Sequence, residues 1–167
     1  MRRILFLAAG VLALAASAHA LSWSDFDALV GEWTGTGAET GRTAAVTQTW
    51  EWVLDGKFLR LTTRAVWTAE DGSRETRENV GYLSYDNDRD SFVFRQFFSL
   101  GYVAAYDVLV LDNGRLIDFG PREAESAGGV SARMTITFTA RDAYRQEIHL
   151  AFRGENFETR QNLTMRR

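Results

Sequence analysis

The sequence of 167 residues has no cysteine, only two histidines and a single proline. The absence of cysteine excludes disulfides, thiol catalysis and cysteine-held metal sites. With His19 and His149 as the only imidazoles, a zinc or copper site built from several converging ligands is excluded as well. No apolar run reaches the ~20 residues that a transmembrane helix requires. What the sequence does contain is an export-type leader, many aromatic residues and turn motifs at short intervals.

The first twenty residues have the pattern of a cleaved export signal. Arg2 and Arg3 supply positive charge, Ile4 to Ala16 form a short apolar run, and Ala18-His19-Ala20 fits a signal-peptidase site. The sequence therefore predicts a signal peptide over residues 1–20, a mature chain from Leu21 and a periplasmic or secreted bacterial protein. An uncleaved N-terminal anchor is the alternative. A lipoprotein is excluded, because no cysteine follows the leader.

Residues 21–167 have the size of one domain and carry a negative charge. The 19 basic residues of the chain include Arg2 and Arg3, so 17 remain against 22 acidic residues, a formal net charge of −5. This balance argues against nucleic acids and anionic membrane surfaces as partners. We expect no membrane insertion once the signal is removed.

Alternation of apolar and polar residues between short turns predicts about ten antiparallel strands. The turns, such as Asp112-Asn113-Gly114, are too short for parallel crossovers. Because an open sheet of this size exposes its edges, we expect an all-β, up-and-down barrel, with a β-sandwich as the alternative. Ser24 is the expected cap of a short helix that carries Phe26 and Leu29 and closes one end. Besides a strand at Trp33, the predicted strands are Val46–Val53, Phe58–Thr68, Arg74–Tyr85, Ser91–Ser99, Tyr102–Leu111, Arg115–Phe119, Ser131–Thr139, Tyr144–Phe152 and Phe157–Met165, with one polar loop over Glu123–Gly129.

Three motifs resemble an uncharacterised family of exported bacterial proteins that is related to the calycins. They are the Leu29-x-Gly31-x-Trp33 opening, the hairpin Leu54-Asp55-Gly56-Lys57-Phe58-Leu59 and the segment Gly81-Tyr82-Leu83-Ser84-Tyr85-Asp86. The calycins include lipocalins, fatty-acid-binding proteins and nitrobindin-type haem-binding barrels. The resemblance implies structural roles for Gly31 and Trp33, with Trp33 closing the floor of the barrel. It also implies a late-strand arginine stacked over Trp33, for which Arg160 and Arg166 are the candidates.

The nitrobindin-like resemblance raises haem as a cofactor, but the ligand it requires is missing. Those barrels hold iron through a histidine near the chain end, whereas Phe157–Arg167 contains none. His149 lies one strand earlier and alternates with Arg145 and Glu147, which places it on the outer face. We therefore expect neither haem nor a metal ion.

Glutamine is the residue type that points most clearly to a binding site. All four glutamines fall on the apolar side of an alternating strand, although glutamine is normally exposed. Burying an amide without a partner is costly, so inward amides indicate a wet cavity or a network in which they bond one another. Both interpretations remain open. The predicted ligand-binding residues are Gln48, Trp50, Trp52, Phe94, Gln96, Phe98, Tyr106, Phe138, Gln146 and Gln161.

These observations favour a non-catalytic, exported barrel that holds one small, largely apolar molecule. The first alternative is an enzyme of the isomerase or hydratase type that uses the same cavity. An inward Asp107 or Asp118 without a counter-charge would favour it. The second alternative is a filled barrel that serves as a structural or interaction module, which a collapsed interior would favour.

Overall fold

The structure is a computed structural model that describes residues 21–122, 130–152 and 156–167. The predicted signal peptide and the predicted loop over Glu123–Gly129 lie outside the described residues. Ten strands form a closed barrel in which neighbours along the chain pair antiparallel and the last strand pairs with the first. The predicted all-β, up-and-down barrel is confirmed. The strands are β1 (Gly31–Glu39), β2 (Arg42–Val53), β3 (Phe58–Ala69), β4 (Arg74–Asp86), β5 (Ser91–Phe98), β6 (Val103–Leu111), β7 (Leu116–Pro121), β8 (Val130–Ala140), β9 (Ala143–Phe152) and β10 (Glu158–Arg166).

In the part of the chain that the structure describes, two short 3₁₀ helices accompany the strands, Trp23–Leu29 before β1 and Asp112–Gly114 between β6 and β7. Within the described ranges, no helix is long and apolar enough to cross a membrane. The N-terminal helix and the C-terminus lie at one end of the barrel, which we call the lower end. The turns that follow β1, β3 and β5 lie at the opposite, upper end.

The lower end is closed by Trp33, as the resemblance implied. Its side chain is fully buried, and its Nε1 donates a hydrogen bond of 2.7 Å to the carbonyl oxygen of Leu29. The arginine over its ring is Arg167, whose guanidinium carbon lies 4.5 Å from the ring centroid. Arg167 also donates to the carbonyl oxygen of Val30 at 2.7 Å, which fixes the chain end against the helix.

The expectation that Arg160 or Arg166 stacks on Trp33 is therefore wrong. Arg166 pairs with Thr34 across the β1–β10 ladder and is exposed. Arg160 lies near the upper end of β10, where it is ion-paired to Glu158 at 2.8 Å. Strand alternation does not point to Arg167, because this residue follows the end of β10.

The N-cap of the N-terminal helix lies two residues before the predicted cap, Ser24. Ser22 is the N-cap, and its backbone N–H donates to Asp25 Oδ2 at 2.7 Å. Ser24 lies inside the first turn. Phe26 and Leu29 are fully buried against the lower core, as predicted from their spacing.

The seam between β1 and β10 depends on glycine. Gly31 has a φ of +133°, a backbone conformation that side chains disfavour. Gly35 pairs with Met165 and lies so close to β10 that a Cβ atom would overlap the carbonyl oxygen of Thr164. The first strand is therefore glycine-rich because it closes the barrel at short distance.

Candidate functional site

The barrel interior is divided along its axis into a filled lower half and an open upper half. Aromatic rings occupy the lower half: Phe94 packs 5.7 Å from Trp50 and 5.2 Å from Phe119, measured between ring centroids. Above them lies a cavity of about 190 Å³, which reaches the surface beside Leu100 in the turn after β5. A ligand that enters from the upper end would meet this cavity first.

Six of the ten predicted ligand-binding residues line the cavity. They are Gln48, Gln96, Phe98, Tyr106, Gln146 and Gln161. The four glutamines thus share one chamber, as their alternation with apolar residues predicted. Phe98 stacks on Tyr102 at 4.3 Å near the opening, and Tyr106 forms part of the boundary with the filled half.

The other four predicted residues are not brought to the cavity. Trp50 and Phe94 are buried in the lower half. Trp52 contacts Trp23 of the helix at 5.5 Å, and Phe138 lies 5.8 Å from Tyr144 beside the floor. Alternation predicts which face of a strand a residue occupies, but it does not predict the height of that residue along the barrel axis.

Two of the glutamines form a structural network. The Tyr144 hydroxyl donates to Gln48 Oε1, Gln48 Nε2 donates to Gln146 Oε1 at 3.0 Å, and Gln146 Nε2 lies 3.0 Å from Met134 Sδ. Burial raises the pKa of Tyr144, so its hydroxyl keeps its proton and stays a donor at neutral pH. These amides satisfy one another, which is the network interpretation.

A second polar pair lies across the cavity wall on β4 and β5. Gln96 Nε2 donates to Asn79 Oδ1 at 2.8 Å. Asn79 is level with Thr63 of β3, and both of these residues also line the cavity. Asn79 and Thr63 are not among the predicted ligand-binding residues, because that prediction rested on glutamine and aromatic side chains. The alternation of Leu61, Thr63 and Ala65 along β3 was the signal that would have found the second of them.

Charged residues at the upper opening compensate one another. Arg77 lines the cavity and is held by Glu39 at 3.2 Å and by Glu75 at 2.9 Å. Arg42 binds the same Glu75 at 2.7 Å. The hydrogen bonds from Arg77 and then Arg42 lower the pKa of Glu75 to about 2, and Glu75 raises the pKa of Arg77. We refer to Glu39, Arg42, Glu75 and Arg77 as the rim cluster.

Asp107 and Asp118 lie on strand faces turned away from the cavity, where Asp107 is exposed and Asp118 is buried. Both carboxyl groups of this pair face arginines: Asp118 accepts two hydrogen bonds of 2.8 Å from Arg133, and Asp107 lies 3.6 Å from Arg122. The inward, uncompensated acid that would favour an enzyme is thus not found at either position. The described residues also contain no cluster of three His, Asp or Glu side chains placed to hold a metal ion.

His149 faces away from the cavity, as predicted. Its Nδ1 lies 2.9 Å from the hydroxyl oxygen of Thr159 on β10, whereas its neighbours Ile148 and Leu150 line the cavity. An imidazole on the outer face cannot reach a molecule inside the barrel.

Comparison with solved structures agrees with this architecture. The protein Rv2717c from M. tuberculosis is similar over 86% of this chain and 95% of its own, with a TM-score of 0.60 and 15% sequence identity. The S-type phycobiliprotein lyase CPES from Guillardia theta is similar over 86% of this chain and 90% of its own, with a TM-score of 0.55 and 12% identity. The fold is a calycin-like barrel. At these identities the likeness shows the fold alone; no family model matches the sequence, and no curated protein sequence is significantly similar to it.

Proposed function

We propose that this protein is an exported, non-catalytic binding protein that holds one small, largely apolar molecule in the upper half of its barrel. The observation that carries the proposal is the cavity of about 190 Å³ above a filled and closed lower half. Small-molecule sites are typically concave, mostly apolar and equipped with a few fixed polar groups. A filled interaction module has no need of such a chamber.

The walls of the cavity support an apolar ligand. On the side formed by β6, β8, β9 and β10, aliphatic and aromatic side chains such as Tyr106, Ala132, Ile148 and Leu163 predominate over the polar Gln146 and Gln161. The outward positions of Asp107 and Asp118 leave the enzyme alternative without the acids on which it was based. Binding without chemical change is therefore the simpler function for this interior.

A reporter dye tests the binding function directly. Nile red, a neutral apolar dye, should bind in the cavity with a blue-shifted, enhanced emission. Ala104 lines the cavity, so Ala104→Phe should fill it and abolish dye binding. Val103 on the same strand is exposed and points outward, so Val103→Phe should bind the dye as the unchanged protein does. Equal binding by both variants would place the dye on the surface and contradict the proposal.

The proposal also covers the location of the protein and the absence of a haem cofactor. We infer export to the periplasm or the medium from the leader over residues 1–20, and intact-mass measurement of the exported protein should give a chain that begins at Leu21. We infer that the ligand is not haem, because the only imidazole beyond that leader is the outward His149. Titration with haemin should give no sharp Soret band. A band that disappears in His149→Ala would overturn this inference.

A further inference from the structure

A continuous belt of uncharged polar groups crosses one wall of the cavity on four consecutive strands. Gln48, Thr63, Asn79 and Gln96 come from β2, β3, β4 and β5 and all line the cavity. Gln48 is paired with Thr63, and Thr63 with Asn79, in the strand register. The Gln96–Asn79 hydrogen bond of 2.8 Å extends the belt to β5. The opposite wall, from β6 and β8 to β10, is formed mainly by aliphatic and aromatic side chains, with Gln146 and Gln161 among them.

Thr63 is the member of the belt whose hydrogen-bonding capacity is unused. The residue is 5% exposed, and its hydroxyl has no hydrogen-bond partner among the described residues. Gln48, by contrast, uses its amide oxygen for Tyr144 and its amide nitrogen for Gln146. A buried hydroxyl without a partner is costly, and a hydroxyl in a cavity wall is satisfied when a ligand supplies that partner.

The charges around the cavity do not favour an ionised ligand. Arg77, two residues before Asn79 on β4, lines the cavity, and Glu39 and Glu75 already compensate it. Arg160 at the rim is ion-paired to Glu158. Because an anion buried without a counter-charge is strongly disfavoured, a carboxylate head beside Thr63 would find no compensation there.

We propose that the ligand is an uncharged molecule whose carbonyl, amide or hydroxyl group hydrogen-bonds to Thr63, while its apolar remainder packs against the opposite wall. This inference rests on the proposed binding function and adds a ligand class to it. The proposed ligand class excludes fatty-acid-type anions, because they need an uncompensated cation in the site. It also excludes plain hydrocarbons, because they leave the Thr63 hydroxyl without a hydrogen-bond partner.

Three probes with one ring system test the inference by calorimetric titration at neutral pH. They are naphthalene, 2-naphthamide and 2-naphthoate, which differ only in the group presented to the belt. We expect 2-naphthamide to bind about tenfold more tightly than either of the others, the ratio that one satisfied buried hydrogen bond provides. Thr63→Val, which has a similar shape without the hydroxyl, should reduce 2-naphthamide affinity about tenfold and leave naphthalene affinity unchanged.

Thr62→Val is the matched control, because Thr62 is the preceding residue of β3 and is exposed. It should leave the affinities of all three probes unchanged. If 2-naphthoate or naphthalene binds as tightly as 2-naphthamide, or if Thr63→Val changes no affinity, the ligand class is wrong while the binding function stands. If neither Nile red nor any naphthalene probe binds, the proposed function itself fails. Thermal unfolding of Thr63→Val at or above the midpoint of the unchanged protein would exclude misfolding as the cause of lost affinity.

Discussion

Trp33, on the first strand, contacts both the N-terminal helix and the C-terminal residue Arg167. Its ring packs 4.5 Å from Tyr144 and lies beneath the Arg167 guanidinium, and its indole N–H is bonded to Leu29. Truncation would leave a cavity and release both the helix and the C-terminus from the floor.

We predict that Trp33→Ala lowers the free energy of unfolding by ~3–5 kcal/mol, the usual range for a buried aromatic residue. Urea denaturation measures this loss. Trp52→Ala is the control, since Trp52 is only partly buried and should cost clearly less. A loss below about 1 kcal/mol for Trp33→Ala would show that the floor does not depend on this ring.

Gln48 and Gln96 are both inward amides, but their partners differ. Gln48 bonds to the buried side chains of Tyr144 and Gln146, whereas Gln96 bonds to Asn79, which is only half-buried. Gln48→Leu would leave the Tyr144 hydroxyl and the Gln146 oxygen without a partner, and both of these side chains are buried. At Asn79, water in the cavity can replace the bond lost in Gln96→Leu.

We predict that Gln48→Leu lowers the free energy of unfolding by ~1–3 kcal/mol and that Gln96→Leu leaves it nearly unchanged. Tyr144→Phe should recover part of the loss in the Gln48→Leu background, because it removes one unmet donor. Urea unfolding of the four proteins measures these differences. Equal losses in the two glutamine variants would show that both amides belong to structural networks.

The sequence predicted well which side chains point into the barrel, but it predicted poorly where they lie along the barrel axis. Period-two alternation placed Gln48, Gln96 and Gln146 inside, where the structure has them buried. The same alternation put Trp50 and Phe94 inside but could not say that they fill the lower half. The position of a residue along the barrel axis depends on the stagger between neighbouring strands. This stagger is set when the whole barrel closes, so the sequence of a single strand does not predict it.

At the scale of single strands, turn chemistry was more informative than apolar content. The Asp112-Asn113-Gly114 hairpin forms as predicted, with positive φ at all three residues. The start of β2 was missed by four residues, because Arg42 to Ala45 contain few large apolar side chains. Phe157, the predicted first residue of the last strand, lies just before β10 and is 41% exposed, and a β-bulge between Thr159 and Gln161 shifts the alternation within β10. A bulge has no reliable pattern in a single sequence.

The β1–β10 seam is the element contact that converts a curled sheet into a barrel. At Gly35 the backbones of the two strands approach so closely that no side chain fits. We predict that Gly35→Ala lowers the free energy of unfolding by ~2–3 kcal/mol through overpacking. Thr36→Ala, at the exposed neighbouring position, should cost far less. Denaturant unfolding gives both values, and similar values for the two variants would contradict the assignment of Gly35 to closure.

On the scale of the whole molecule, the two halves of the barrel have different roles. The lower half contains most of the fully buried aromatic side chains, Trp67 beside the cavity being an exception, and supplies most of the packing that stabilises the fold. The upper half is packed less completely, because it contains the cavity. Ion pairs at its rim stabilise it instead. The rim cluster links β1, β2 and β4 around the opening.

The rim cluster makes stability depend on pH in a direction that follows from Glu75. Its pKa is lowered from the ordinary value of 4.5 to about 2 in the folded protein, first by Arg77. The unfolded chain therefore binds more protons between these pH values, so the contribution of Glu75 to stability is complete above about pH 5 and is lost as the pH falls toward 2.

We predict that Glu75→Gln lowers the urea midpoint at pH 7 and that its difference from the unchanged protein shrinks at pH 3. Glu70→Gln, at an exposed turn position, should show no such convergence. A Glu75→Gln difference that is the same at both pH values would show that the carboxylate acts through its shape and hydrogen bonds rather than through its charge.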